Sequence, residues 1–200
     1  MMSTSPRRGS VKGVDVSGNA LLGFIDGMGV FKGTAHKMLN DAGITTPEGD
    51  GWYSLEAFLL ILNKLADEGG VNLLRQIGAS LIDKALWPKE IDSLSKALRS
   101  VDVSYHMNHR RNGKVLFDAS SGKVIEGMLG HNAVIPPTGD EHRAFYVCNT
   151  FYPCELDYGI ASAFARKFKP MDSNHHARIV HDTSGCRSRG DEACTYRIEW

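Results

Sequence analysis

The last twenty residues of the chain, HDTSGCRSRGDEACTYRIEW (181–200), carry two of its four cysteines. Seven residues of a glycine- and charge-rich loop separate Cys186 from Cys194, and Cys154 lies upstream in CNTFYPCELDYG (148–159). Zinc favours thiolate and imidazole ligands in a tetrahedron. The pattern therefore predicts that the three thiols converge on a metal ion and tie the last helix to the closing strands.

A closed zinc site needs a fourth protein ligand, and we predict His181 for this position. The sequence leaves Asp182, Cys148 and His175 as alternatives. If the fourth position is filled by any of these side chains, the metal is structural.

Two other interpretations of the cysteines stay open. Intracellular cysteines are often small buried hydrophobes, and this applies best to Cys148, which lies inside an apolar strand pattern. Alternatively, Cys154 is a catalytic nucleophile with His181 or His176 as its base, because a helix N-terminus lowers the pKa of a thiol.

The composition limits the function classes. Of the 200 residues, 42% are hydrophobic, and 23 Lys and Arg balance 23 Asp and Glu. This balance provides no overall field for nucleic acid, and the longest apolar run, 57–62, is too short to span a membrane. We therefore expect a cytoplasmic protein without nucleic-acid partners or a membrane span, in a compartment where thiols stay reduced.

Apolar periodicity divides the chain into two halves. We expect a disordered tail at 1–10 and a single α+β domain at 11–200, with a helical part at 14–110 and a sheet part at 113–200. In the helical part, Ser54 and Asp92 are predicted N-caps.

In the sheet part, KVLFDASSGKVIEG (114–127) reads as a hairpin, and HRAFYVCNT (142–150) reads as a strand. CELDYGIASAFARKF (154–168) returns to a helical pattern, and two strands follow on either side of the cysteine loop. This order predicts helices packed on one side of an antiparallel sheet.

The two cysteine segments resemble the 4-vinyl reductase-type small-molecule (hydrocarbon) binding domain family and the related L-2-amino-thiazoline-4-carboxylic acid hydrolase-like proteins. The resemblance covers roughly residues 88–200 in the order of elements. It implies the fold shared by Golgi-transport and nitric-oxide-signalling ligand-binding domains, with an apolar cavity between sheet and helices. It also implies zinc held by Cys154, Cys186, Cys194 and an acidic residue, although Thr183 stands where that acid is expected.

An apolar cavity needs hydrophobic walls and a few polar anchors. The residues that we assign to ligand binding are Tyr105, His106, His109, Phe117, Met128, Phe145, Phe151 and Tyr158. The alternative is that the apolar members of this set only form the core.

His106 and His109 are three residues apart on one helical face and could bind a carboxylate, a metal or a haem iron. Histidines at a helix end more often cap carbonyls or face solvent, so the sequence gives zinc as the expected cofactor and does not favour haem.

The sequence as a whole predicts a sensor-like binding protein for a small apolar or aromatic molecule, with a zinc clip. Occupancy would be reported through a homodimer or a signalling partner. The rival function is a thiol-dependent hydrolase or reductase accessory enzyme that uses Cys154.

Overall fold

The helical half forms because apolar residues recur at helical spacing between good stop signals. A computed structural model describes residues 10–85, 87–125, 129–136, 142–168 and 177–200. Within them the α-helices are α1 (Gly18–Gly27), α2 (Lys32–Asp41), α3 (Leu55–Asp67), α4 (Val71–Lys84), α5 (Leu94–Met107) and α6 (Cys154–Phe168). Short 3-10 helices cover Gly29–Phe31 and Arg187–Arg189.

Serine side chains cap the N-termini of three of these helices, α1, α3 and α5. The Ser54 hydroxyl accepts a hydrogen bond from the Ala57 amide at 3.3 Å, which confirms the predicted cap of α3. Ser93 caps α5 by accepting from the Lys96 amide at 3.4 Å, so the prediction of Asp92 was wrong by one residue. Asp92 instead pairs with the Lys96 ammonium at 2.8 Å.

All strand pairs among the described residues are antiparallel. They are β1 (Val14–Ser17), β2 (Trp52–Ser54), β3 (His109–Arg111), β4 (Lys114–Val115), β5 (Phe117–Asp118), β6 (Lys123–Val124), β7 (Asn132–Ile135), β8 (Arg143–Cys148), β9 (Arg178–Asp182) and β10 (Cys194–Glu199). A small sheet has the order β2-β1-β3-β4, the main sheet has the order β7-β8-β10-β9, and β5 and β6 form the predicted hairpin. The fold is therefore α+β with antiparallel sheets, as predicted.

The predicted helical part at 14–110 also contains the short strands β1 and β2 and the start of β3, which the prediction missed. β1 pairs with β3, so that Val16 lies opposite His109, and it also pairs with β2. The partner strand β3 is more than ninety residues away in the chain. Pairing over that distance leaves no trace in a local pattern.

The main sheet buries one face against α6. Along β8 and β10, alternate residues are buried and their neighbours are half-buried or exposed. Tyr146 and Tyr196, opposite each other in register, are both fully buried on this face. The core therefore continues from the helices into the space between α6 and the sheet.

Helices α4 and α6 approach each other closely at two glycines. A Cβ at Gly78 would lie 2.1 Å from the Leu156 carbonyl oxygen, and one at Gly159 would lie 2.1 Å from that of Arg75. Arg75 also bonds Glu155 at 2.6 Å across this crossing. The contact fixes the start of α6, where Cys154 lies, against the helical half.

No helix in the described ranges combines the length and the apolar content that crossing a bilayer requires. The predicted tail at 1–10 lies outside the described residues, apart from an exposed Ser10.

Candidate functional site

A cavity of about 580 Å³ lies between the helical half and the main sheet. Its walls are mostly apolar and aromatic, with Phe24 from α1, Trp87 after α4 and Phe164 from α6. The volume falls in the range of about 300–1,000 Å³ that is typical of small-molecule sites.

A hydrogen-bonded histidine stands in the wall of this cavity. His109 is 2% exposed, and its Nδ1 lies 2.6 Å from the Tyr105 carbonyl oxygen. Its Nε2 lies 2.8 Å from the Tyr152 hydroxyl. Since a carbonyl only accepts, Nδ1 carries the proton, and Nε2 accepts from Tyr152.

Burial keeps this imidazole neutral. Desolvation lowers the pKa of His109 to about 4, although the Tyr105 carbonyl opposes the shift. Burial likewise raises the pKa of Tyr152 and of Tyr105 above the usual phenol value. At neutral pH a neutral imidazole and two protonated phenols are therefore among the polar groups of the cavity wall.

The three cysteine sulfurs form a second group of functional side chains. Cys154 Sγ lies 3.2 Å from Cys194 Sγ and 3.6 Å from Cys186 Sγ, and the last two are 3.8 Å apart. All four cysteines are free and buried, but Cys148 is not part of this triangle. Thiolates around zinc at about 2.3 Å would stand about 3.8 Å apart, so little movement would be needed to close on an ion.

Arg187 joins the cysteine triangle to the cavity. Its backbone N–H and its Nε donate to Cys194 Sγ at 3.3 and 3.5 Å, and its Nη1 donates to Thr150 Oγ1 at 2.7 Å. Its Nη2 pairs with the Asp157 carboxylate, and both side chains are almost completely buried. Thr150 and Asp157 also line the cavity.

The charges in this region follow from these contacts. The hydrogen bond between the Cys154 and Cys194 side chains, together with the contacts of Arg187, lowers the pKa of Cys194 well below its usual value. The same thiol pair and burial raise the pKa of Cys154. The helix N-terminus was expected to lower the pKa of Cys154, but the hydrogen bond with Cys194 and burial shift this pKa upward.

The predicted fourth ligand, His181, lies apart from the sulfurs. Its ring stacks on Tyr196 with the centroids 4.6 Å apart, and its Nε2 has no hydrogen-bond partner among the described residues. Asp182 is exposed at the end of β9 and accepts from the Ser184 amide. The alternatives His175 and His176 lie outside the described residues.

The predicted ligand-binding residues fall into separate places. Tyr105 and His109 line the cavity. The others, as far as they are described, lie outside its wall: His106, Phe117, Phe145, Phe151 and Tyr158. Phe145 fails for a simple reason, since it alternates with Tyr146, which lines the cavity. Met128 lies outside the described residues.

Sequence reasoning missed Tyr152, Arg187 and Asp157. A buried arginine inside the cysteine loop looks like any solvated charge in the sequence. Only the position of Asp157, one turn after Cys154 and on the same face of α6, gave a signal that a charge is buried there.

Comparison with known proteins supports the fold. No protein-family model and no curated protein matches the sequence. An unliganded Fe(II) H-NOX protein mutant from K. algicida superposes with a TM-score of 0.56 at 13% identity, over 92% of this chain and 95% of its own. The Fe(II)NO form of an H-NOX protein from S. oneidensis gives a TM-score of 0.52 at 14% identity, over 90% and 97%.

A further structure, described as modulating haem redox potential through porphyrin distortion, gives a TM-score of 0.52 at 16% identity, over 92% and 99%. At these identities the likeness shows the fold. The shared feature is the course of the backbone over 90–92% of this chain.

These findings correct two predictions. The assignment to the 4-vinyl reductase-type family was wrong, because the structural neighbours are H-NOX domains and no family model matches. Two short cysteine segments were too small a basis for that kinship. The expectation against haem was also wrong by this comparison, because the structures that share the fold are H-NOX proteins, and one of them is described by its haem redox potential.

Proposed function

We propose that this chain is a sensor-type binding domain whose cavity takes a large, mostly apolar ligand anchored at His109, and that haem is that ligand. The observation that carries the proposal is the state of His109 in the wall of the 580 Å³ cavity. Its Nδ1–H is held by a backbone carbonyl, and its Nε2 lone pair faces the Tyr152 hydroxyl.

The donor set of the cavity fits this group. A metal-ligating histidine typically donates its other N–H to a carbonyl, which fixes the ring and raises the basicity of the free nitrogen. His109 has this arrangement, and its neutral ring needs to lose no proton before it binds. H-NOX abbreviates haem nitric oxide/oxygen binding, and bound haem would supply an iron that takes a small gas.

The residues of this chain have three tasks in that function. His109 Nε2 would bind the metal after the Tyr152 hydroxyl turns away. The aromatic wall, including Phe24 and Phe164, would exclude water from the apolar ring. Lys84 also lines the cavity, where it pairs with Asp26, and would offer a cation to a ligand carboxylate.

A route for reporting occupancy runs along residues 150–154. Tyr152 bonds His109, Thr150 bonds Arg187, and Cys154 belongs to the sulfur triangle. Displacement of Tyr152 from His109 would therefore move the segment that leads into α6. The homodimer or signalling partner predicted from the sequence stays a prediction.

Haem titration of the metal-free protein tests the proposal. We expect one haem per chain with a Soret band typical of histidine ligation. His109→Gly should lose this band and recover it with added imidazole, while His36→Ala, at an exposed position on α2, should bind like the wild type. Equal haem spectra for wild type and His109→Gly would contradict the proposal.

An apolar or aromatic ligand without a metal is the second candidate for the same cavity. The mostly apolar wall, with its Phe, Tyr and Trp side chains, favours it. Extraction of the protein as purified, followed by mass spectrometry, identifies such a ligand directly. Ala20→Phe, which places a ring in the cavity wall, should exclude it without touching His109.

The sulfur triangle supports the zinc clip as a structural part of this domain. Three thiols at near-tetrahedral separations come from the start of α6, the cysteine loop and β10. The fourth ligand remains a prediction, with His181 as the residue predicted from the sequence.

Metal analysis should find about one zinc per chain, and Cys154→Ser should lose it and melt earlier. Cys148→Ser is the matched control, because Cys148 is equally buried but outside the triangle. If both variants keep the metal, or if the wild type holds none after purification in zinc, the clip does not exist.

A further inference from the structure

A third group of metal-ligand side chains lies where α5 meets the start of β7. Asp102, His106 and His131 each place one donor atom within 4.8 Å of the other two. His131 Nδ1 lies 3.0 Å from Asp102 Oδ2, and His106 Nδ1 lies 3.5 Å from Asp102 Oδ1. The two imidazole rings face each other with centroids 5.0 Å apart and a tilt of 35°.

This group is separate from the other two sites. His106, Asp102 and His131 do not line the cavity, and none of the three cysteines belongs to the group. The group therefore does not depend on the function proposed for the cavity.

His106 supplies an imidazole whose bonding is incomplete. Its side chain is fully buried, and its Nδ1 lies 2.7 Å from the Asp102 carbonyl oxygen. Its Nε2 has no hydrogen bond of normal geometry among the described residues. Burial lowers the pKa of the ring, and the nearby Gly130 carbonyl partly opposes this shift. Buried polar atoms in folded proteins normally have a partner.

Asp102 and His131 keep the group open to water. Their side chains are 22% and 37% exposed. Asp102 Oδ1 accepts from the Asn132 amide at 2.8 Å, which orients the carboxylate toward both rings. An ion bound here would keep at least one coordination position for water or another small ligand.

We propose that Asp102, His106 and His131 form a site for a divalent first-row transition-metal ion with an open coordination position. Two imidazoles and one carboxylate suit Zn²⁺, Fe²⁺, Co²⁺ and Ni²⁺, and are too poor in oxygen for Ca²⁺ or Mg²⁺. The Asp102 carbonyl holds the Nδ1–H of His106, so Nε2 is the nitrogen of this ring that is free to bind an ion. Ligands at about 2.0–2.2 Å from an ion stand roughly 3.4 Å apart, so the side chains must move by on the order of 1 Å.

The alternative is a purely structural role. Asp102 accepts hydrogen bonds from His131 Nδ1 and the Asn132 amide, and these alone would join α5 to β7. A structural link predicts no metal affinity, so the two interpretations give different results in a binding experiment.

Cobalt is the probe, because it distinguishes the two metal sites within one chain. Thiolate ligation in the cysteine triangle gives strong near-ultraviolet charge-transfer absorption, whereas imidazole and carboxylate ligation gives only weak visible bands. Titration of the full chain, stripped with chelator under reducing conditions, should resolve a cobalt site without thiolate absorption.

His131→Ala is the first variant, because its half-exposed side chain can be removed with little risk to folding. We expect it to weaken that cobalt site by at least about tenfold while the thiolate bands persist. Asp102→Asn, which keeps the shape of the side chain, should have the same effect. His36→Ala, an exposed histidine outside the group, should leave binding unchanged.

Two outcomes would overturn the proposal. One is the absence of a cobalt site beyond the thiolate site in the wild type. The other is wild-type affinity in both His131→Ala and Asp102→Asn, with circular dichroism showing that both are folded.

Discussion

The cysteine triangle and the Asp102–His106–His131 group offer metal-type donors in opposite environments. The triangle is closed, since its three thiols are at most 8% exposed and the buried Arg187 supplies its counter-charge. The histidine group is open, with two of its three side chains reached by water. The same donors would therefore act differently, as a structural clip in one place and as an exchangeable site in the other.

The largest effect on stability should come from removing the Arg187 charge beside the cysteine triangle. Arg187→Met leaves Asp157 buried without its ion-pair partner, and we expect a loss of about 3–5 kcal/mol in the free energy of unfolding. Chemical denaturation of metal-free protein measures it. Arg189→Met, two residues away and exposed, should change stability by less than about 0.5 kcal/mol. Similar losses in both variants would show that the buried Arg187–Asp157 pair is not the cause of the loss.

His109 is close in sequence to the open histidine group, but it is buried like the cysteine triangle. Its burial should make the free energy of unfolding depend on pH. Its pKa falls from 6.5 to about 4 on folding, so the unfolded chain binds the proton more tightly. The stability contributed by neutral His109 is present above pH 6.5 and is lost as pH falls toward 4, by about 3 kcal/mol.

Unfolding curves of metal-free and haem-free protein between pH 7.5 and about 4 check this loss. His109→Gln should flatten the dependence over this range, whereas His36→Gln leaves His109 in place and should retain it. An identical slope in His109→Gln would mean that another group causes the loss.

The next largest effect on stability should come from the crossing of α4 and α6, which holds Cys154 in place. Gly159→Ala would place a Cβ against the Arg75 carbonyl oxygen and push α6 away from α4. We expect a loss of about 1–3 kcal/mol from this overpacking, and weaker zinc binding at Cys154. Gly33→Ala, in α2 with nothing near the added Cβ, should be neutral or slightly stabilising. If Gly159→Ala binds zinc as tightly as the wild type, the crossing of α4 and α6 does not position the cysteine triangle.

The smallest effect belongs to the open group. In chelator-treated protein, His131→Ala removes one hydrogen bond to Asp102 at a half-exposed position. We expect a loss below about 1 kcal/mol in thermal or chemical unfolding. A loss several times larger would show that this group is part of the core rather than an open site.

Local patterns predicted the elements well where they were long. The helix from Cys154 to Phe168 begins and ends as predicted, and Ser54 caps α3 as predicted. The short strands β1 and β2 were missed because each is four residues or fewer and is stabilised only by pairing with distant segments.

The candidate sites were only partly predictable. Tyr105 and His109 were assigned to ligand binding from the sequence and do line the cavity. His131 and Asp102 were not noticed, because 29 residues separate them and neither lies in a recognisable motif. The kinship assigned from two cysteine segments failed, since a short motif can recur on several folds.

The sequence by itself determined the α+β class, the long helices and the kind of donors that are available, because these follow from composition and short-range periodicity. The tertiary structure alone decided which donors meet and how dry their surroundings are. Contacts such as Arg187 with Asp157, or Tyr152 with His109, join residues that are 30 and 43 positions apart. Burial then shifts the pKa of groups such as His109, and local patterns do not show which polar side chains become buried together.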